Sequence, residues 1–212
     1  LTKIAATGTG LSVQGGTVTM MGGTISGGGS GQGVGVSGTG KAELKDVEIS
    51  KATTGVTMSG GTFKMIRGSI KGNGNVVNVT GGEKAELTNV KIVGSGNGVY
   101  MAGKGEVTLE DVEIEGVTTG VSVSEEASGT LTVKKGEIKE FKTSGVSVEA
   151  TGDVTVSLDG TRIIGKGGAG NGRTKGVKVE EKANRKVDTK TPGNILPYGV
   201  FFLSNHCNIF IF

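Results

Sequence analysis

Three aspartates, Asp46, Asp111 and Asp159, stand at similar points of a repeating pattern. Paired carboxylates of this kind cleave polysaccharides, one acting as general acid and the other as base or nucleophile. That chemistry needs the two carboxyls within about 5–9.5 Å of each other. Repeats stacked as strands lie about 4.8 Å apart, so Asp46 and Asp111, three repeats removed, stand at about 14 Å. His206 and Cys207 are adjacent, but each is the only residue of its type. A nucleophile without a separate base is inert, and a single His and Cys cannot make a structural zinc site. No Gly-x-Ser-x-Gly turn occurs. The sequence therefore predicts no enzyme, no cofactor and no metal, with a polysaccharide-cleaving enzyme as the weaker alternative.

The charges point instead to binding. Between Gly160 and Thr191 nine Lys or Arg face three acids, although the whole chain carries only +3. Arg173, Lys175, Lys178, Lys182, Arg185 and Lys186 form the candidate receptor- or glycan-binding cluster, since such clusters attract sulfated glycans, acidic loops or anionic membranes. A solvated face beside a loop accounts for the same residues equally well. Nucleic acid is not an expected partner, because no aromatics interleave with the cations.

These residues sit on a repeat. The pattern Gly-Val-x-Val/Met recurs at Gly10-Leu11-Ser12-Val13, Gly33-Val34-Gly35-Val36, Gly55-Val56-Thr57-Met58, Val76-Val77-Asn78-Val79, Gly98-Val99-Tyr100-Met101, Gly120-Val121-Ser122-Val123, Gly145-Val146-Ser147-Val148 and Gly176-Val177-Lys178-Val179. The steps are 21 to 25 residues, except the last, which is 31. A second pattern lies between the copies, as in Ala42-Glu43-Leu44-Lys45-Asp46-Val47-Glu48-Ile49 and Val107-Thr108-Leu109-Glu110-Asp111-Val112-Glu113-Ile114. Alternating apolar and polar residues mark strands with one buried face, and the interruptions at Lys45-Asp46, Arg67, Thr88-Asn89 and Glu110-Asp111 mark corners. The prediction is an all-β right-handed parallel β-helix, a solenoid of about eight coils of ~22 residues with three short strands per coil. With 42 glycines, no Trp and four of six Phe beyond residue 200, the core must be thin.

Parallel stacking sets equivalent positions one above another. Glu43, Lys64, Glu86, Thr108 and Thr132 are expected to form one outward column, with Asp46, Arg67, Asn89, Asp111 and Lys135 at the corner, so that like charges rarely meet. The long final step places an insertion at 164–175, and the 25-residue step a smaller protrusion around Phe141-Lys142-Thr143. The helix is expected over residues 1–187. Residues 188–212, holding both prolines, form a C-terminal tail or cap, or a non-native end. Leu1-Thr2-Lys3-Ile4 matches the close of the second pattern, so further coils or a cap are expected before it.

Segments such as Gly98-Val99-Tyr100-Met101-Ala102-Gly103 and Ala85-Glu86-Leu87-Thr88-Asn89-Val90-Lys91-Ile92 resemble the passenger repeats of type V autotransporters. Over residues 5–180 the chain is similar to the inducible autotransporter passengers of Bartonella, a group that includes a secreted angiogenic factor acting on VEGF receptors. The resemblance implies export through the outer membrane by a C-terminal translocator barrel belonging to the parent protein. Secretion or surface display would follow, with binding to a host-cell receptor of the VEGF type. An adhesin for matrix or sulfated glycan is the alternative. Receptor agonism further implies a dimer or higher homo-oligomer.

Overall fold

The computed structural model describes residues 1–166 and 174–179, and the backbone of 185–190 and 208–211. Two parallel sheets wind around one core. The narrower contains eight stacked strands among the described residues: Leu11–Val13, Gln32–Val36, Thr54–Met58, Val77–Val79, Asn97–Met101, Thr119–Val123, Ser144–Val148 and Lys175–Val179. The broader begins with Lys3–Ala5, Thr17–Ser26, Lys41–Ala52, Thr62–Gly72 and Lys84–Gly94, and then divides each rung in two, as in Lys104–Glu110 with Glu113–Glu115 and Ser128–Lys134 with Glu137–Phe141. Every described pairing is parallel. Strands Arg185–Lys190 and Asn208–Ile211 continue the broad sheet, pairing Lys186 with Asn208 and Val187 with Ile209.

The register reproduces the sequence repeat residue by residue. Val13, Val36, Met58, Val79, Met101, Val123, Val148 and Val179 form one inward column. Ile4, Ile25, Ile49, Ile70, Ile92, Ile114, Ile138 and Ile163 form another on the opposite wall. Both columns are inward because strand side chains alternate, and Glu48, Lys71 and Lys91, which adjoin the isoleucines, point to water. The core is thin, as composition requires. Phe63 and Phe141 head its largest fully buried side chains, and Phe63 stacks between Ala42 and Ala85.

The corners expected from sequence have a common cause. Gly22, Asp46, Arg67, Asn89, Asp111, Lys135 and Gly160 follow one another in register, each with φ between 52° and 71°. The left-handed residue bends the strand sharply, with a second positive φ following at Gly23 and Gly68, and where valine follows it turns back inward: Val47, Val90 and Val112 are all buried. Asn and Asp tolerate this conformation, whereas Arg and Lys adopt it at a cost of about 1–2 kcal/mol. Lys135→Gly is therefore expected to stabilise the protein by about 0.5–1 kcal/mol after the added entropy of the unfolded chain is subtracted. Urea denaturation measures this, and a lower midpoint would show that Lys135 is not strained.

Most of the extra residues fall elsewhere than around Phe141-Lys142-Thr143. Pairing of Met101 with Val123 and of Lys104 with Ser128 lodges the added residues of the 25-residue step in the turn at Glu125-Glu126. One more sits at Glu140, where the register shifts and φ is 53°. Phe141 itself is buried in the core; a large apolar side chain beside a bulge fills the wall rather than protruding from it. In the longest step, Phe141 pairs with Gly165 and Ser144 with Lys175, so the inserted residues lie between 165 and 175.

Candidate functional site

The broad sheet carries most of the paired charge. Glu43, Lys64, Glu86, Thr108 and Thr132 do form one column. Lys64 lies 3.6 Å from Glu86, and Lys84 bonds Glu86 at 2.7 Å and reaches Glu106 at 3.4 Å. At the corner, Arg67 donates through Nε and Nη2 to Asp46 at 2.7 and 2.8 Å. This fork holds the Asp46 carboxyl below the usual carboxylate range. Like charges do meet in one place: Glu113 stacks directly on Glu137. The pair is tolerated because Lys139 reaches Glu113, Glu115 and Glu137, while Lys91 and Arg162 close the network from the two flanking coils.

Within that network Lys91 bonds Glu115 at 2.7 Å, which depresses the Glu115 pKa and raises that of Lys91. Lys139 is raised first by Glu113. A depressed carboxyl stabilises the fold above the ordinary glutamate range, near pH 4.3, and that contribution disappears as pH falls through the lower folded value. A raised ammonium contributes below the ordinary lysine value, about 10.4, and the contribution disappears as pH rises beyond it. Thermal stability should thus form a plateau between these limits. Glu115→Gln should flatten the acid limb, by no more than about 4 °C, because exposed pairs are worth only about 0.2–1 kcal/mol each. Melting curves from about pH 3 to about pH 8 check this; an unchanged acid limb would remove Glu115 from the account.

The three aspartates are separated as expected. Asp46 and Asp111 occupy the corner column on different coils, while Asp159 pairs with Lys134, one position before the column. An open groove of about 650 Å³ runs beside Asp46 and Glu48, but Arg67 and Lys71 hold those carboxylates at 2.7 and 3.0 Å. Among the described residues no group of three or more His, Cys, Asp or Glu is placed to hold a metal ion. His206 and Cys207 lie outside the described residues.

Of the basic cluster, Lys175 and Lys178 lie on the strand Lys175–Val179, the last of the narrow sheet among the described residues. Lys178 Nζ donates to Glu149 Oε1 at 3.2 Å, and Ser147 Oγ donates to the same oxygen at 3.3 Å. Arg185 and Lys186 lie on strand Arg185–Lys190, paired through the backbone with Val154 and Thr155. Arg173 and Lys182 lie outside the described residues. A parallel coil with these columns and corners is the geometry of one known family: a family model described as right handed beta helix region matches residues 9–163. The chain belongs to the right-handed β-helix family. No curated protein and no solved structure matches it.

This β-helix also has a face that motif reading passed over. The x of each Gly-Val-x-Val copy points outward, giving the column Ser12, Gly35, Thr57, Asn78, Tyr100, Ser122, Ser147 and Lys178 along the narrow sheet. The column is uncharged until its last position. The signal was present in the repeat, where the x residues carry no acid or base before Lys178.

Proposed function

We propose that this β-helix is a passenger-type, secreted bacterial protein that binds a host-cell surface receptor through the coil that carries Lys175 and Lys178. One observation carries the reading: a sheet face without charge over seven strands turns basic at Lys175 and Lys178, directly after the inserted residues. Added loops beside a rigid scaffold are common recognition elements, and local cation clusters steer acidic partners. The resemblance to autotransporter passengers makes a VEGF-type receptor the first candidate, with agonism requiring an oligomer to bring receptors together. An adhesin for matrix or sulfated glycan is the second reading, favoured by the same cations. Surface plasmon resonance against VEGF-receptor ectodomain, matrix proteins and heparin separates the two. Charge reversal at Lys175, Lys178, Lys182 and Lys186 is expected to weaken the cognate interaction at least about tenfold, near 1.4 kcal/mol. Tight heparin or matrix binding without receptor binding selects the adhesin, and binding unaffected by charge reversal rejects the basic coil as the site.

A further inference from the structure

Four of the five methionines fill the core, and the way they do so sets the fifth apart. Met20, Leu44, Met65 and Leu87 stack as one inward column of the broad sheet, and Gly23, Val47, Gly68 and Val90, three residues further on, stack as another. Methionine is thus paired with glycine and leucine with valine. A Cβ built on Gly23 would lie 3.0 Å from Met20 Cε, and one on Gly68 would lie 3.0 Å from Met65 Cε. The thioether methyl reaches over the glycine, into space that a valine side chain takes on the alternate coils, a use that suits its unbranched, flexible chain. Met58 is seated in the same way against Gly82, and Met101 stacks between Val79 and Val123. None of the four is more than 7% exposed.

Met21 has no such role. It lies beside Met20 on the strand Thr17–Ser26, and the alternation of side chains turns it outward, where it is 68% exposed. Its column continues through Lys45, Ile66, Thr88 and Glu110 on the following coils, polar at three of those four positions. Leu1 and Met21 are the exposed large hydrophobics among the described residues. Packing does not call for a thioether here. What the strand presents to solvent is a soft, polarizable sulfur with its electron pairs within reach of an oxidant.

We infer that Met21 is a site of reversible oxidation by hydrogen peroxide. The sulfur attacks one peroxide oxygen, and the S–O bond forms as the O–O bond breaks. The departing hydroxide takes up the proton of the transferred oxygen and leaves as water, so sulfur loses the two electrons that the peroxide gains. The product is a polar sulfoxide. On the outward face it meets solvent, so the fold tolerates it and a methionine sulfoxide reductase reaches it. Two thiols then return the thioether, releasing water and forming a disulfide. At Met20, Met58 or Met65 the added oxygen has to enter space closed by the contact of methyl with glycine, so reaction there waits for the coil to open. Oxidation is thereby confined to the one methionine whose change leaves the core intact.

The inference is independent of the receptor reading, which rests on the coil that carries Lys175 and Lys178. Timed exposure of the full chain to hydrogen peroxide, followed by digestion and tandem mass spectrometry, tests it; fragmentation between residues 20 and 21 assigns the added oxygen. Met21 is expected to convert at least about tenfold faster than Met20, Met58, Met65 or Met101. Met20 is the sharpest comparison, since it shares the strand and any local opening of it and differs in the face it occupies. The singly oxidised protein should melt within about 2 °C of the parent by circular dichroism. Incubation with methionine sulfoxide reductases for both epimers and a thiol should return it to the parent mass. In Met21→Leu only the slow conversions should remain. The inference is overturned if Met20 or any other core methionine oxidises as fast as Met21, if conversion of Met21 shifts the melting temperature by more than that margin, or if the reductases leave the sulfoxide in place.

Discussion

Phe63→Ala is expected to destabilise the protein by about 3–5 kcal/mol. Phe63 is fully buried and stands in a column whose neighbours are both alanine, Ala42 below and Ala85 above. The arrangement is one of volume compensation between coils: a large ring occupies space that two small side chains leave. Removing the ring would put three alanines in succession at that wall, and neither neighbour has atoms to fill the void. The cost therefore combines lost transfer energy with an unrelieved cavity. Urea denaturation followed by circular dichroism measures it. Phe63→Leu, which keeps most of the volume, should lose far less. A loss below about 1 kcal/mol for Phe63→Ala would mean that the coils close up around the gap, against the rigidity argued here.

Gly98→Ala comes next, with an expected loss of about 1–3 kcal/mol or more. A methyl group built on Gly98 lies 2.5 Å from Cγ2 of Ile114 and 2.6 Å from the carbonyl oxygen of Gly120 on the following coil. Gly33, Gly55, Gly120 and Gly145 face the corresponding isoleucines and carbonyls, so the glycine of the repeat is set by close approach of backbone to the isoleucine column. The usual gain from replacing glycine by alanine, about 0.4–1 kcal/mol through the unfolded chain, is outweighed. Ile114→Leu removes the branch methyl, so the double variant should lose less than the two single losses added together. Gly8→Ala, with nothing within 4 Å of the new methyl, is the control and should be neutral or slightly stabilising. Equal effects at Gly8 and Gly98 would refute the steric account.

Most of this architecture was legible because a solenoid writes its contacts into sequence spacing. Ile49, Ile70, Ile92 and Ile114 recur where the register stacks them, and Asp46, Arg67, Asn89 and Asp111 interrupt the alternation at the left-handed corner. The lodging of the 25-residue step was not legible. Step length gives a surplus but not its place, and only pairing shows that Glu125-Glu126 and Glu140 absorb it while Phe141 packs inward. The stacking of Glu113 on Glu137 was missed because it lies outside the columns compared: Lys139, which relieves it, follows Glu137 by two residues on the same strand and reaches across to Glu113. Of the candidate site, the change of charge at Lys175 and Lys178 was readable, whereas the pairing of Lys178 with Glu149 was not. The uncharged column of the narrow sheet escaped notice because a motif scan weighs reactive residues, and this face is defined by their exclusion.

The parallel register has a further consequence for how such a chain comes together. Each coil contacts the one about 22 residues away, whatever the total length, so the entropy of closing the next loop is nearly constant from rung to rung. The rim of a finished coil offers a full row of backbone donors and acceptors to the segment that follows. Folding then resembles growth of a one-dimensional crystal: a costly seed of a few coils, followed by deposition of identical layers on a template the protein has made from itself.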